Sequence, residues 1–156
     1  MGKIVSIRES TGIVKDLKIQ GKKIVLVGGC FDILHPGHVI FLEKAKAEGD
    51  YLVVLLESDK KVKRLKGANR PVHSQPMRAK VLSALEFVDL VVMLPFMESE
   101  TLYDKLVQKF RPDTIALTAG YANKNHQKRT AKLSGAKLRY VTKVIGNHST
   151  SRILNN

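Results

Sequence analysis

The sequence predicts an α/β domain built on a parallel, Rossmann-like sheet of five strands with helices on both faces. Three observations point to it. Short runs rich in Val, Ile and Leu recur from Gly21 onward, each of strand length. Amphipathic segments of helical period separate them. No repeat, low-complexity stretch or linker breaks the alternation, so the chain of 156 residues reads as one domain, 1–156. Strands alternating with helices imply right-handed crossovers that cover both faces of a parallel sheet.

Glu9–Gln20, ended by Gly21, adds a leading helix. Lys22–Val27 is the first buried strand, and Gly28 and Gly29 then turn the backbone tightly. A helix follows from Pro36 to Glu48. Val39, Leu42 and Ala45 succeed one another at three-residue steps and Phe41 lies four before Ala45, which gives one buried face and leaves Glu43, Lys44 and Lys46 for solvent. Tyr51–Leu56, Val88–Leu94, Thr114–Leu117 and Leu138–Val144 supply the other strands. Gln75–Glu86 and Ser99–Phe110 carry helical periodicity, the second capped by Ser99. Asn123–Leu133 has a weaker helical pattern. Ligands in such sheets bind outside the carboxyl ends of the strands, so the site belongs to the loops after Val27, Leu56, Leu94, Leu117 and Val144.

Composition narrows the partners. The 27 basic and 14 acidic residues leave a net charge of +13, which favours anions such as nucleotides, sugar phosphates, nucleic acid or acidic membrane surface. Most of the surface lysines serve solubility, and charge alone does not choose among these anions. The single cysteine, Cys30, excludes an intrachain disulfide and fits a reducing, cytoplasmic setting. Met1–Gln20 lacks the apolar stretch of a signal peptide. The apolar runs fall far short of the ~20 residues of a membrane-spanning helix, so a soluble protein is expected.

The first loop reads Gly28-Gly29-Cys30-Phe31-Asp32-Ile33-Leu34-His35-Pro36-Gly37-His38. His35 and His38 lie three residues apart at a helix start, so both project from its first turn towards one point. Free N–H groups and the helix dipole favour an anion there, and Gly37 leaves room for a phosphate between the imidazoles. Two histidines beside Asp32 could instead suggest a metal, yet no cysteine or carboxylate cluster completes a ligand set. The chain lacks both the G-x-G-x-x-G of dinucleotide binders and the G-K-[ST] of P-loops. The loop is a phosphate cradle.

Gly29 to His38 resembles the G-x-F-D-x-x-H-x-G-H signature of the cytidylyltransferase-like nucleotidylyltransferases. His148-Ser149-Thr150-Ser151-Arg152-Ile153 is similar to the family's second signature, S-T-T/S-x-I. Taken alone Ser149–Ser151 would be an ordinary N-cap; paired with the first motif it implies a grip on the β- and γ-phosphates. Lys63-Arg64-Leu65-Lys66-Gly67, Arg70-Pro71-Val72, Arg78, Leu82, Ala84-Leu85 and Val88-Asp89 resemble the heptose-phosphate adenylyltransferase branch, as does the leading segment from Lys3 to Lys22. The likeness covers about residues 3–153. Thr118-Ala119-Gly120-Tyr121 replaces the family's G-G-D-Y-like stretch, so Gly120 stands near the place of an acidic residue, and Asn147-His148 precede the second signature.

The resemblance implies in-line attack by an acceptor phosphate on the α-phosphorus of a triphosphate, ATP foremost, with release of pyrophosphate. His35, His38 and Lys66 would be catalytic. Gly29, Cys30, Phe31, Asp32, Lys63, Arg78, Gly120, Ser149, Thr150 and Ser151 would bind substrate or nucleotide, Arg78 on phosphate and Asp32 by orienting a neighbouring cation or hydroxyl. Mg²⁺ would arrive with the triphosphate; no protein-held metal is expected. The partners are a nucleoside triphosphate and a phosphorylated small-molecule acceptor, with a homodimer allowed by the resemblance and no membrane. Rival readings are CTP-dependent transfer to a polyol phosphate, FMN adenylylation and a basic nucleic-acid-binding module. No aromatic-rich basic strand or recognition helix supports the last.

Overall fold

Runs such as Tyr51–Leu56 are apolar at every position because both faces of their strand are covered, as parallel sheets require. In the computed structural model, which describes residues 1–120, 124–143 and 154, these runs form a six-stranded sheet in the order β1-β4-β3-β2-β5-β6. The strands are β1 (Lys3–Ser6), β2 (Ile24–Gly29), β3 (Tyr51–Leu56), β4 (Leu90–Met93), β5 (Thr114–Ala119) and β6 (Lys137–Lys143), and every paired neighbour is parallel. The helices are α1 (Ile7–Ile19), α2 (Pro36–Lys46), α3 (Asp59–Lys66), α4 (Gln75–Ser83), α5 (Glu100–Phe110) and α6 (Lys124–Ser134).

Alternate residues of β3 serve two cores. Val53 and Leu55 pack with Val14 of α1 and Leu106, Val107 and Phe110 of α5. Leu52, Val54 and Leu56 pack with Leu42 and Ala45 of α2 and Ala79 and Leu82 of α4. Chain order reverses between β2 and β5, its direct neighbour. A crevice therefore opens at the carboxyl end of β2, the place where such sheets take ligands. Among the described residues, no helix is long and apolar enough to cross a membrane.

The structure corrects the expectation in four places. The sheet has six strands, not five, because Lys3–Ser6 pairs with β4 along one edge. The leading helix begins at Ile7, with Ser6 and Glu9 forming a reciprocal capping box, so Glu9 sits inside the first turn. Lys63–Lys66, assigned no element from the sequence, belongs to a helix, α3, capped by Ser58. Ser99 holds the N-cap position of α5, yet its side chain makes no capping hydrogen bond.

Candidate active site

The loop after β2 departs from expectation at its glycines. Gly28 and Gly29 are the last residues of the strand, paired with Leu55 and Leu56. What they supply is space. A Cβ on Gly28 would lie 2.6 Å from Tyr103 Oη, and one on Gly29 would lie 2.9 Å from the Phe31 ring. The turn itself falls on Phe31, whose φ of 43° places a bulky residue in the left-handed region. Burial of its ring, 5.3 Å between centroids from His38, holds it there.

His35 is the N-cap residue of α2 with Pro36 behind it, and His38 completes the first turn. The two imidazoles stack, with centroids 3.9 Å apart and planes inclined by 26°. No phosphate fits between rings in contact, so the pair presents one joint edge rather than two jaws. Gly37 instead makes room for His35: a Cβ there would approach that ring to 3.0 Å. Burial, followed by the adjacent His35 and more weakly the Lys66 ammonium, pulls the His38 imidazole down from 6.5 to about 4. His38 is therefore neutral at physiological pH, and its Nδ1 is buried without a hydrogen-bond partner among the described residues.

Asp32 is 4% exposed and fully engaged. Its Oδ2 accepts from Arg70 Nε, and its Oδ1 accepts from the backbone N–H groups of Val72 (2.8 Å) and His73 (3.2 Å). Burial alone would raise its pKa, but these three donors outweigh it and hold the carboxyl below its usual range. Asp32 thus fastens the segment that follows Lys66 to the segment that precedes His35.

Arg78 does not fit a phosphate-binding role. Its side chain is wholly buried in α4 and spends its donors on protein acceptors. Nε donates to the His73 carbonyl (3.0 Å), Nη1 to that of Cys30, and Nη2 to the Glu57 carbonyl (2.9 Å) and Asp59 (2.7 Å). Four of the roughly five N–H donors of a guanidinium are occupied. Arg78 is a clamp on the loops after β2, after β3 and before α4.

Lys66 ends α3, exposed to solvent, with its charge close enough to pull down the pKa of both His38 and Cys30. Lys63 lies exposed in the same last turn. Burial outweighs the Lys66 charge at Cys30 and pushes the thiol up, away from nucleophilic thiolate. Gly120 follows β5 with φ of 98°, a conformation that suits glycine. Tyr121, His148, Ser149, Thr150, Ser151 and Arg152 lie outside the described residues.

Beside the histidine loop, on the other side of the β2 carboxyl end, is a cavity of about 310 Å³ bounded by Gly28, Cys30, Glu57, Tyr103, His126 and Leu117. Burial raises the Glu57 carboxyl, against Lys61 and Arg78. Burial also lifts the Tyr103 phenol far above its ordinary value, so it stays neutral. Sequence reasoning missed Glu57 and Tyr103, and gave Arg70 no role. Glu57 follows the last residue of β3, a place that the strand-end rule alone singles out.

A family model described as cytidylyltransferase-like matches residues 26–151. Curated relatives named bifunctional protein HldE include one from Wolinella succinogenes, 50% identical over 112 residues that make up 72% of this chain and 23% of the relative. Another, from Geotalea uraniireducens, is 40% identical over 152 residues, or 97% of this chain and 30% of the relative. The chain thus spans less than a third of the length of these relatives. A lipopolysaccharide core biosynthesis protein from Thermoplasma volcanium superposes with a TM-score of 0.63 at 26% identity, covering 82% of this chain and 100% of that one. Pantoate-beta-alanine ligase from Francisella tularensis shares the fold, with a TM-score of 0.73 at 20% identity over 100% of this chain and 74% of that one.

Proposed function

This chain belongs to the cytidylyltransferase-like family, and on that premise we propose that it transfers a nucleoside monophosphate, AMP from ATP, to a sugar phosphate and releases pyrophosphate. The observation that carries the reading is the stacked His35–His38 pair at the start of α2, with the Lys66 charge near enough to act on His38. A neutral imidazole donates one N–H to a phosphoryl oxygen, and the helix start adds backbone N–H groups and a favourable dipole. An arriving triphosphate stabilises the protonated imidazole and raises its pKa, so the donor strengthens as negative charge accumulates.

In the proposed step an acceptor phosphate oxygen forms a bond to the α-phosphorus while the bond from that phosphorus to the α–β bridging oxygen breaks. The electron pair leaves with pyrophosphate. The acceptor phosphate, with a second pKa of about 6, is already ionised, so no general base is needed. Positioning and stabilisation of charge carry the rate. Lys66 would bridge the attacking and departing groups, and the cavity beside Gly28 would receive the acceptor's sugar, its polar wall including Glu57 and His126. Mg²⁺ would be held by the triphosphate's own oxygens.

The test is a matrix of ATP, CTP and GTP against sugar phosphates, polyol phosphates and FMN, read by pyrophosphate release. Turnover with ATP and a sugar phosphate supports the reading. Release only with CTP and a polyol phosphate, or only with FMN, overturns it.

A further inference from the structure

The strands begin at the pole opposite the histidine loop, and there a groove of about 760 Å³ opens between α1, the end of α5 and β6. Its charge is lopsided. Lys18 is tied to Asp113 at 2.6 Å and Arg139 stands 3.7 Å from Glu48. Lys15, Lys23, Lys109, Arg111 and Lys137 also line it, are exposed, and make no salt bridge among the described residues. Helix ends explain part of this. The carboxyl ends of α1, α5 and α6 meet here, and each carries about half a negative charge. Together they offset about one and a half of the five unpaired charges, leaving an excess of roughly three and a half.

Shape selects the partner. The charges line a concavity within the ~300–1,000 Å³ range of small-ligand sites, not a flat face or a long stripe that would track a polymer. Thr11 and Ser134 also line the wall, their hydroxyls donated to carbonyls of their own helices at 3.0 and 2.8 Å. A single monophosphate would leave much of the excess charge unneutralised. We propose that this groove binds a small anion carrying two or more phosphate groups, at a site separate from the histidine loop. The six residues of β2 put about 20 Å between the two ends, so both can be filled at once.

The test uses the full chain, inorganic tripolyphosphate as probe, and amide chemical shifts in about 0.15 M salt, where diffuse charge attraction is largely screened. Saturating shifts are expected at Lys23, Asp113 and Lys137, distinct from any at Cys30 and His38. In Lys15→Gln/Lys23→Gln/Lys137→Gln the groove shifts should need at least tenfold more probe, with those at the histidine loop unchanged. Lys109→Gln/Lys137→Gln replaces this variant should it lose its fold. Absence of groove shifts, an unchanged affinity in the variants, or shifts with polyuridylate but none with tripolyphosphate would overturn the proposal.

Discussion

At the end of the sheet that carries the histidines Arg70 and Arg78 turn inward, and at the opposite end Lys15, Lys23 and Arg111 stand exposed. Arg78 is wholly buried and Arg70 nearly so, the first spent on three carbonyls and Asp59, the second on Asp32. At the groove end Lys15, Lys23 and Arg111 stand in water without acidic partners among the described residues. Burying a guanidinium costs several kcal/mol of lost hydration unless its donors are met. That cost is sustained where loops must hold one shape, because a planar fork with several donors ties several strands of backbone together. Solvated lysines cost folding little and remain available to a ligand. Buried charge builds a site; exposed charge waits for an occupant.

The strongest test of the contrast is Arg78→Met. It strands the carbonyls of Cys30, Glu57 and His73 and should lower stability by about 3–5 kcal/mol in chemical denaturation. Lys15→Gln at the other end should shift it by no more than about 0.5 kcal/mol. Similar small losses in both would dissolve the distinction. Next, His35→Ala or His38→Ala should cut turnover roughly a hundredfold or more while circular dichroism stays unchanged, since one transition-state donor is worth ~3 kcal/mol. Near-normal pyrophosphate release in both would remove the histidines from the chemistry.

Lys66 sharpens the comparison, because it is exposed like the groove lysines yet sits by the histidines. Lys66→Ala should lower kcat about tenfold or more and triphosphate affinity less, the pattern of an interaction that strengthens in the transition state. Lys66→Arg should also be impaired, since a planar guanidinium does not replace a compact ammonium between crowded phosphates. Arg64→Ala should change little. Equal, mild effects from all three would make the cluster a diffuse attractor of anions.

The smallest effect concerns acid. His38 takes a proton near 6.5 when unfolded but only near 4 when folded. Its contribution to stability is therefore complete above about 6.5 and is lost as pH falls towards 4. Asp32 adds a second loss, below the ordinary carboxyl value of 3.8, because its folded pKa is depressed. Denaturation midpoints in His38→Gln should be flatter than those of the parent between pH 6.5 and 4. An identical slope would mean that His38 is not held neutral by the fold.

Much of this molecule was legible in its sequence, for reasons that also mark the failures. Tyr51–Leu56 announces itself because both faces are buried, and its predicted bounds are those observed. β1 buries only Val5 of its four residues, so an edge strand left no pattern to read. In α3, Asp59-Lys60-Lys61-Val62-Lys63-Arg64-Leu65-Lys66, only Val62 is buried, and the helix shows in sequence chiefly through its Ser58 cap. The spacing of His35 and His38 correctly put both rings on one turn but could not say that they touch. Arg78 was misread because an arginine's letter does not tell whether its fork meets solvent or backbone carbonyls. Its burial depends on three loops distant in sequence, and pattern reading has no access to that.

The contact between Gly28 and Tyr103 links two positions that no local pattern connects. With the phenol oxygen present, an added methyl at position 28 would collide at 2.6 Å; the next atom of that ring lies at 3.7 Å, an ordinary contact. A lineage that first replaces Tyr103 with phenylalanine is therefore free to accept alanine at 28, whereas one that takes alanine first must pass through a clash. The order of two substitutions, rather than either alone, decides which descendants of this chain can reshape the wall of its cavity.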